Sequence, residues 1–338
     1  MSIRKGIIAI LSIIFLTSCW FSPQDKTRYL VAFDREPDIY LLNVSDGGIR
    51  NITESFFPVD YRAELCSFSH DDRYLLFSVD TFHTTYPHQH RHEADLYCYD
   101  LLTGDIDQLT HSDFENISAE FSPDDEQIVL MSSYDYRYHI FLMDRDGSNF
   151  HDLQNSIQYE YCPKFSPDGQ YVYYIRYEDF LFNVCRNTLD GQNEELLTFN
   201  TDHNKDYCIS SDGNILYYDG MGIVRKDLND GSTVQLTPRD SLNFYYSTPK
   251  LSPGGQLLAY RYKIGSDYYA CLMDTCGNQK QEVCEAYDFA FSPDGKYLFC
   301  YGYEDIVRYN ISSGTLDILY SDSLYYFSGI AVTRIIDN

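Results

Sequence analysis

The sequence predicts an all-β protein, a seven-bladed β-propeller whose blades are four-stranded antiparallel sheets. Two recurring turn motifs, and a mismatch between their counts, support this prediction. A motif of the form Phe-Ser-Pro-Asp-Gly occurs in six variants, and a Gly-containing hairpin occurs seven times. A repeat of about 40 to 45 residues that contains four short strands is typical of propeller blades.

The first motif marks a turn between two strands of each repeat. A hydrophobic anchor ends the first of these strands, and the anchors are Phe68, Phe121, Phe165, Ile209, Leu251 and Phe291. They are spaced by 53, 44, 44, 42 and 40 residues. In the turn that follows, Pro restricts the backbone, Asp bonds to it locally and Gly takes a left-handed conformation. We therefore interpret the motif as a structural turn and not as six copies of an active site.

The second motif is a hairpin about halfway through each repeat, with the turn glycines Gly47, Gly104, Gly147, Gly191, Gly231, Gly277 and Gly314. The first strand-like segment, 27–34, resembles segment 72–80, which is the second strand of its own repeat. The last segment, 327–336, is a strand without a successor. We therefore expect the last blade to be closed by both termini, an arrangement that removes exposed sheet edges.

The first residues have the features of an export signal. Arg4 and Lys5 precede an apolar run at 6–16 that is too short to span a bilayer as a helix. The run ends in Leu-Thr-Ser-Cys, which resembles the bacterial lipobox and predicts that Cys19 is lipidated. An ordinary signal peptide with a coincidental cysteine is the alternative. The predicted organisation is a signal peptide at 1–18, a lipidated cysteine and tether at 19–26, and a propeller at 27–338.

The predicted lipid anchor and the net charge of the chain together restrict the expected partners. Acyl chains on Cys19 would hold the protein on a membrane without spanning it. In Gram-negative lipoproteins a residue other than Asp after the lipidated cysteine implies the outer membrane, and Trp20 occupies that position. The chain has 25 basic and 51 acidic residues, a formal net charge of −26. Nucleic acid is not an expected partner, because phosphate binding needs clustered Lys and Arg.

Nine further cysteines are scattered through strand-like segments without the spacing of a metal site. Their odd number leaves at least one unpaired within the chain, and buried free thiols are the favoured interpretation. Export would permit disulfides, and Cys271 with Cys284 is the one pair suspected, because these residues flank a predicted hairpin.

The motif "FSPDG", an aromatic-rich strand after it, then "LMDRDG" and "LT", resemble the repeat of TolB-type propellers, which also occurs in the propeller domains of prolyl oligopeptidase-like enzymes. The resemblance covers residues 27–338 and implies the fold. It does not imply a role in the Tol-Pal system, because TolB-like proteins have an additional amino-terminal domain and six blades. Here strand-like sequence begins within about ten residues of Cys19 and seven hairpins are counted. Six blades remain the alternative, and a peptidase domain is not expected.

Motifs for known chemistry are absent from the sequence: it contains no nucleophile elbow, phosphate loop, dinucleotide fingerprint or HExxH motif. One loop is unusual, because alternate positions in an extended segment carry His88, His90 and His92, followed by Glu93. Three imidazoles on one side could bind zinc or another divalent metal. A solvated loop is the favoured interpretation, so no cofactor is expected.

One side of the ring is predicted to carry longer and more aromatic connections than the other. The candidate binding residues on it are Phe57, Tyr61, Tyr134, Tyr136, Arg176, Tyr177, Tyr245, Tyr246 and Tyr325. Aromatic residues mixed with acids and a few Arg are typical of recognition surfaces. We expect a non-catalytic binding or scaffold lipoprotein of the bacterial cell envelope whose partner is a protein, peptide or glycan. The alternative is a metal-assisted hydrolase or lyase with its site at the channel mouth.

Overall fold

A computed structural model describes residues 28–54, 56–57, 61–81, 93–154, 156–199, 206–220, 222–238, 244–322 and 327–335. The described elements are 28 β-strands and one 3-10 turn at Tyr134–Tyr136. The strands form seven four-stranded antiparallel sheets, which are the seven blades predicted from the sequence. Among the described residues, innermost strands of neighbouring blades pack against each other at five of the seven interfaces, including the interface between the first and the last of them in the chain.

The blades are numbered by the chain order of their innermost strands, and in blades 1 to 6 the innermost strand is the first strand of the blade. Blade 1 consists of β4 (Tyr61–Phe68), β5 (Tyr74–Thr81), β6 (Ala94–Asp100) and β7 (Ile106–Gln108). Blade 2 consists of β8 (Asn116–Phe121), β9 (Gln127–Ser132), β10 (His139–Asp144) and β11 (His151–Asp152). Blade 3 consists of β12 (Tyr159–Phe165), β13 (Tyr171–Glu178), β14 (Leu181–Thr188) and β15 (Glu195–Leu196).

Blade 4 consists of β16 (Tyr207–Ile209), β17 (Ile215–Asp219), β18 (Ile223–Asp227) and β19 (Thr233–Gln235). Blade 5 consists of β20 (Phe244–Leu251), β21 (Leu257–Ile264), β22 (Asp267–Asp274) and β23 (Gln281–Glu285). Blade 6 consists of β24 (Asp288–Phe291), β25 (Tyr297–Tyr301), β26 (Asp305–Asn310) and β27 (Thr315–Ser321).

Blade 7 is composite, as predicted. Its innermost strand is β28 (Phe327–Arg334), and the other three are β1 (Tyr29–Arg35), β2 (Asp38–Asn43) and β3 (Ile49–Asn51). Strands β28 and β1 pair antiparallel in a register that places Ile330 opposite Phe33 and Val332 opposite Val31. The two ends of the described chain therefore share one sheet, and the ring closes through backbone hydrogen bonds between them.

The first turn motif has the structural role that the sequence predicts. In "FSPDG" of blade 3, the Ser166 hydroxyl donates to Asp168 Oδ1 at 2.6 Å and accepts the Tyr171 backbone N–H at 2.9 Å. Gly169 has the left-handed φ of 68° that the turn requires. The same acceptance of an N–H five residues on is made by Ser69, Ser122, Ser210, Ser252 and Ser292. The serine of the motif therefore has a structural role, because its hydroxyl accepts a backbone N–H that the turn would otherwise leave without a partner.

The core lies between blades and not within them, because each sheet buries both faces against its neighbours. The described residues form seven hydrophobic clusters, one at each blade–blade interface. The cluster between blades 3 and 4 contains Tyr173 and Tyr207, which are both fully buried, and the centroids of their rings lie 6.4 Å apart. Each of the seven interfaces of the described chain thus has its own hydrophobic cluster. Side-chain packing closes the ring in addition to the backbone hydrogen bonds of blade 7.

Polar contacts also join neighbouring blades at equivalent repeat positions. Lys164, just before its anchor, contacts Asp206 of blade 4 at 2.9 Å and donates to the Tyr207 carbonyl at 2.6 Å. Lys250 occupies the same position in blade 5 and contacts Asp288 of blade 6 at 2.7 Å. Burial alone would lower the pKa of Lys164, but the charge and hydrogen bond of Asp206, together with Glu120, raise it above the ordinary value. The ammonium therefore stays charged.

All nine cysteines of the described chain are free thiols, and Cys276 is the exposed one. The suspected bond between Cys271 and Cys284 is not formed, because the strand register sets Cys284 opposite Ala270 and Cys271 opposite Glu282. Burial raises the pKa of Cys98 to about 12. Such thiols behave as small apolar core residues.

Candidate functional site

The two sides of the ring differ in their connections. The loop-rich face carries the hairpins between second and third strands and the connections between blades, including residues 52–54, 56–57, 133–138, 156–158, 179–180, 197–199 and 302–304. The turn-rich face carries the "FSPDG"-type turns and the second hairpins, including residues 69–73, 101–105, 122–126 and 145–150. This division follows from strand order alone, because antiparallel neighbours reverse direction at each turn.

Exposed apolar side chains of the described chain are concentrated on the loop-rich face. Those on this face are Phe56, Tyr134, Tyr136, Ile157, Tyr159, Phe180, Phe199, Ile264 and Tyr303. Those on the turn-rich face are Leu102 and Phe150, and the outer strands expose Ile49, Val234, Leu316 and Ile318. Concentrated exposed apolar residues are typical of interaction surfaces, whereas single ones are not informative.

Blades 2 and 3 and the connection between them carry several exposed or partly exposed, mostly aromatic side chains on this face. We call them the aromatic patch and define it as Tyr134, Tyr136, Ile157, Tyr159, Tyr177 and Phe180. The Tyr159 and Tyr177 rings lie 6.3 Å apart, and Phe182 lies 4.6 Å from Tyr177. The most exposed members are Tyr136, at 82%, and Phe180, at 86%. Sequence reasoning named Tyr134, Tyr136 and Tyr177 but missed Ile157, Tyr159 and Phe180.

The segments that form the aromatic patch are fixed to each other by hydrogen bonds. Arg137 Nη1 donates to the Ile157 carbonyl at 3.0 Å, which joins blade 2 to the connection that follows it. Gln158 Nε2 donates to Glu178 Oε1 at 3.2 Å, which joins that connection to the hairpin of blade 3. The Tyr138 hydroxyl donates to Glu115, and burial together with this carboxylate raises the pKa of Tyr138. The aromatic patch is therefore held in place before a partner binds.

Phe180 occupies a position where its residue type is unfavourable for the backbone. Asp179 and Phe180 form the two-residue loop between β13 and β14, and their φ angles are 50° and 66°. Two-residue hairpins with positive φ at both positions favour Asn-Gly, because bulky residues are strained there. A backbone conformation that is unfavourable for its residue type, with no compensating packing contact, is typical of functional positions. The pair Asp-Phe between strand-like segments is the sequence signal that could have identified this residue.

Other predicted candidates have packing roles in the structure. Phe57 contacts the rings of Tyr61 and Tyr97 at 5.1 and 4.9 Å, and the Tyr61 hydroxyl donates to Asp38. Arg176 is engaged within blade 3 by Glu194 at 2.6 Å. These side chains therefore pack against the blades.

The remaining candidates fall outside what the structure describes. Tyr245 and Tyr246 lie in β20, but their side chains are not among the described features. Tyr325, Cys19 and the predicted metal ligands His88, His90 and His92 lie outside the described residues.

Within the described ranges no group of three or more His, Cys, Asp or Glu side chains is arranged to hold a metal ion. In the same ranges no helix has the length and hydrophobicity to cross a membrane.

Comparison with solved structures finds the same fold in proteins of different activity. TolB from Acinetobacter baumannii is 18% identical over 78% of this chain and 64% of its own, with a TM-score of 0.55. Oligogalacturonate lyase from Vibrio parahaemolyticus is 10% identical over 87% of this chain and 85% of its own, with a TM-score of 0.61. Periplasmic gluconolactonase from Pseudomonas aeruginosa is 15% identical over 90% of this chain and 99% of its own, with a TM-score of 0.61.

A comparison with curated proteins gives no match. The family model of the TolB beta propeller domain matches residues 75–293, which is more than half of the chain. The matched region runs from β5 of blade 1 to the first turn of blade 6. The chain therefore belongs to the TolB β-propeller domain family.

Proposed function

We propose that this protein is a non-catalytic binding or scaffold lipoprotein of the bacterial cell envelope. It recognises a protein, peptide or glycan partner through the loop-rich face of its propeller. The observation that carries this proposal is the aromatic patch of blades 2 and 3, with Phe180 86% exposed in a strained two-residue turn. Aromatic side chains on a rigid support are the commonest centres of binding energy at interfaces.

Family membership is consistent with a binding role but does not identify the partner. Propellers with the same fold include a TolB and two enzymes, so the ring itself is compatible with more than one activity. The proposal rests on the aromatic patch and on the predicted export signal. An envelope location follows from residues 1–19, with Cys19 as the anchor and the outer membrane as the expected site.

The experiment that tests the aromatic patch separates binding from folding. Phe180→Gly removes the exposed ring and supplies the residue that the turn favours. We expect unchanged stability or a gain of up to about 1 kcal/mol in the free energy of unfolding, because left-handed strain is relieved. Capture of partners from solubilised envelope membranes should fall about tenfold or more.

A matched control removes a comparable exposed side chain elsewhere. Leu316 is 47% exposed on the outer strand β27, and Leu316→Ser should leave capture unchanged. Equal capture by the Phe180→Gly variant and the native protein would contradict the proposal. A large loss of stability in that variant would assign Phe180 to packing.

Lipid anchoring is tested at Cys19. Replacement of this residue by Ala should move the protein from the membrane fraction to the soluble fraction, because acyl chains can no longer be attached. The measurement is fractionation of cells that express either form. Equal sedimentation of the two forms with membranes would show that another feature holds the protein there.

A further inference from the structure

A charged cavity lies between blades 4 and 5, at the loop-rich end of both blades and apart from the aromatic patch. Its volume is about 520 Å³, and its lining residues are Asp206, Asp219, Ser247, Thr248, Arg261, Lys263 and Tyr268. Ser247 and Thr248 belong to the innermost strand β20, so the cavity borders the central channel. Each of these described lining residues has a polar side-chain group, in contrast to the hydrophobic clusters at the interfaces between blades.

Two of these charges occupy a repeat position that is uncharged in the other motif-bearing blades. In each of these blades the hydrophobic anchor of the first strand pairs with one residue of the second strand, as Phe165 pairs with Val172 in blade 3. The position lies three residues after that paired residue. In blades 1, 2, 3 and 6 it is occupied by Ser78, Met131, Ile175 and Tyr301, all of which are buried. In blades 4 and 5 it is occupied by Asp219, which is 1% exposed, and Arg261. Adjacent blades thus depart from the repeat together, and both departures line the same cavity.

The cations of the cavity are held by neutral groups. Arg261 Nε donates to Ser247 Oγ at 3.1 Å, and its Nη1 donates to the Tyr287 carbonyl at 2.9 Å. Arg261 and Lys263 both lie against the Tyr268 ring, at 5.0 and 4.7 Å from its centroid. The ion pairs of the described residues near this cavity are made by other lysines, Lys164 with Asp206 and Lys250 with Asp288. An Arg fixed by neutral partners remains able to form charge-assisted bonds to an anion.

The acids of the cavity are already engaged. Asp206 contacts Lys164 Nζ at 2.9 Å, and the Asp206 backbone N–H donates to Asp219 Oδ1 at 3.0 Å. The charged lining residues balance, with Arg261 and Lys263 against Asp206 and Asp219. Asp206 is paired with Lys164 outside the lining, whereas Arg261 and Lys263 contact neutral groups. The two cations are therefore the groups that can attract an anionic ligand into the cavity.

We infer that this cavity binds a sugar acid, a ligand with one carboxylate and several neighbouring hydroxyl groups. Arg261 and Lys263 are the donors for the carboxylate. The Ser247 and Thr248 hydroxyls are the partners for sugar hydroxyls. The volume of about 520 Å³ is in the range of small-molecule sites. This inference does not depend on the aromatic patch, so failure of either proposal leaves the other intact.

The test is calorimetric titration of the purified protein with galacturonate, with galactose and with glutamate. We expect galacturonate to bind, and galactose and glutamate to bind at least about tenfold more weakly, because one lacks the carboxylate and the other the sugar hydroxyls. Arg261→Met introduces the residue that blade 2 carries at the same position and should weaken galacturonate binding about tenfold or more. Arg308→Met is the control, since Arg308 contacts Asp317 on the outer strands of blade 6 at 2.8 Å.

Several outcomes would overturn the inference. These are no binding of galacturonate, equal binding of galactose or glutamate, and unchanged affinity in the Arg261→Met variant. If thermal melting shows that this variant does not fold, Lys263→Met is used in its place, because Lys263 lies on the same cavity wall. A Lys263→Met variant that binds galacturonate as the native protein does would count against the inference in the same way.

Discussion

Deletion of residues 327–338 is expected to destabilise the whole ring and not blade 7 alone. The deletion removes β28, the innermost strand of that blade and the partner of β1 over most of its length. It exposes the edge of β1 and opens the cluster that blade 7 shares with blade 6, which includes Phe33, Phe299 and Ile330. Loss of a buried strand from a domain that is stable by only about 5 to 15 kcal/mol removes most of that margin.

The measurement is thermal and urea unfolding of the deletion variant beside the native protein. A variant that lacks only residues 336–338 is the control, since these follow the last residue of β28, and it should unfold as the native protein does. We expect the longer deletion to be unfolded or to lose several kcal/mol. An unchanged melting temperature would contradict closure by β28.

Gly191→Ala is expected to be among the most destabilising single substitutions in the protein. Gly191 is in the second hairpin of blade 3 and has φ of 68°. A Cβ added there would lie 1.9 Å from the Leu153 carbonyl oxygen of blade 2, so backbone must move. The related glycine Gly147 is similarly close to the Leu109 carbonyl of blade 1, which indicates that these turns rest directly on the preceding blade.

Gly213→Ala is the matched control for this substitution. Gly213 has φ of 72°, and a Cβ there would meet nothing within 4 Å. The control should lose only about 1 to 2 kcal/mol from left-handed strain, whereas Gly191→Ala should lose at least about 3 kcal/mol because contact between blades is added. Equal losses in urea unfolding would show that Gly191 is required for its φ alone.

Repeat architecture explains why so much of this fold could be predicted from sequence. The serine, aspartate and glycine of "FSPDG" act within one turn, so their spacing carries the information that positions them. The composite blade followed from counting strands, because a ring needs a partner for each edge. The contact between Gly191 and Leu153 could not be predicted in this way, because it depends on the distance between two blades.

The candidate site was less accessible to sequence reasoning, because aromatic residues in loops have two roles that composition does not separate. Phe57 and Tyr134 both stood out as loop aromatics, yet Phe57 packs on Tyr61 and Tyr97, whereas Tyr134 is 51% exposed. Phe180 could be identified from the Asp-Phe pair between two strand-like segments, but its strain became evident only from the positive φ of its turn. Asp219 and Arg261 become recognisable once the strand register aligns the repeats and reveals their shared departure.

Site-specific photo-cross-linking in intact cells tests most directly the claim that the loop-rich face is the binding surface. A benzophenone amino acid is introduced at Tyr136 or Phe180 on that face, and at Leu102 on the turn-rich face or Leu316 on β27, four positions that are all exposed. The account predicts discrete adducts from Tyr136 and Phe180 and none from Leu102 or Leu316. Adducts of equal yield from both sets, or from Leu102 and Leu316 alone, would contradict it.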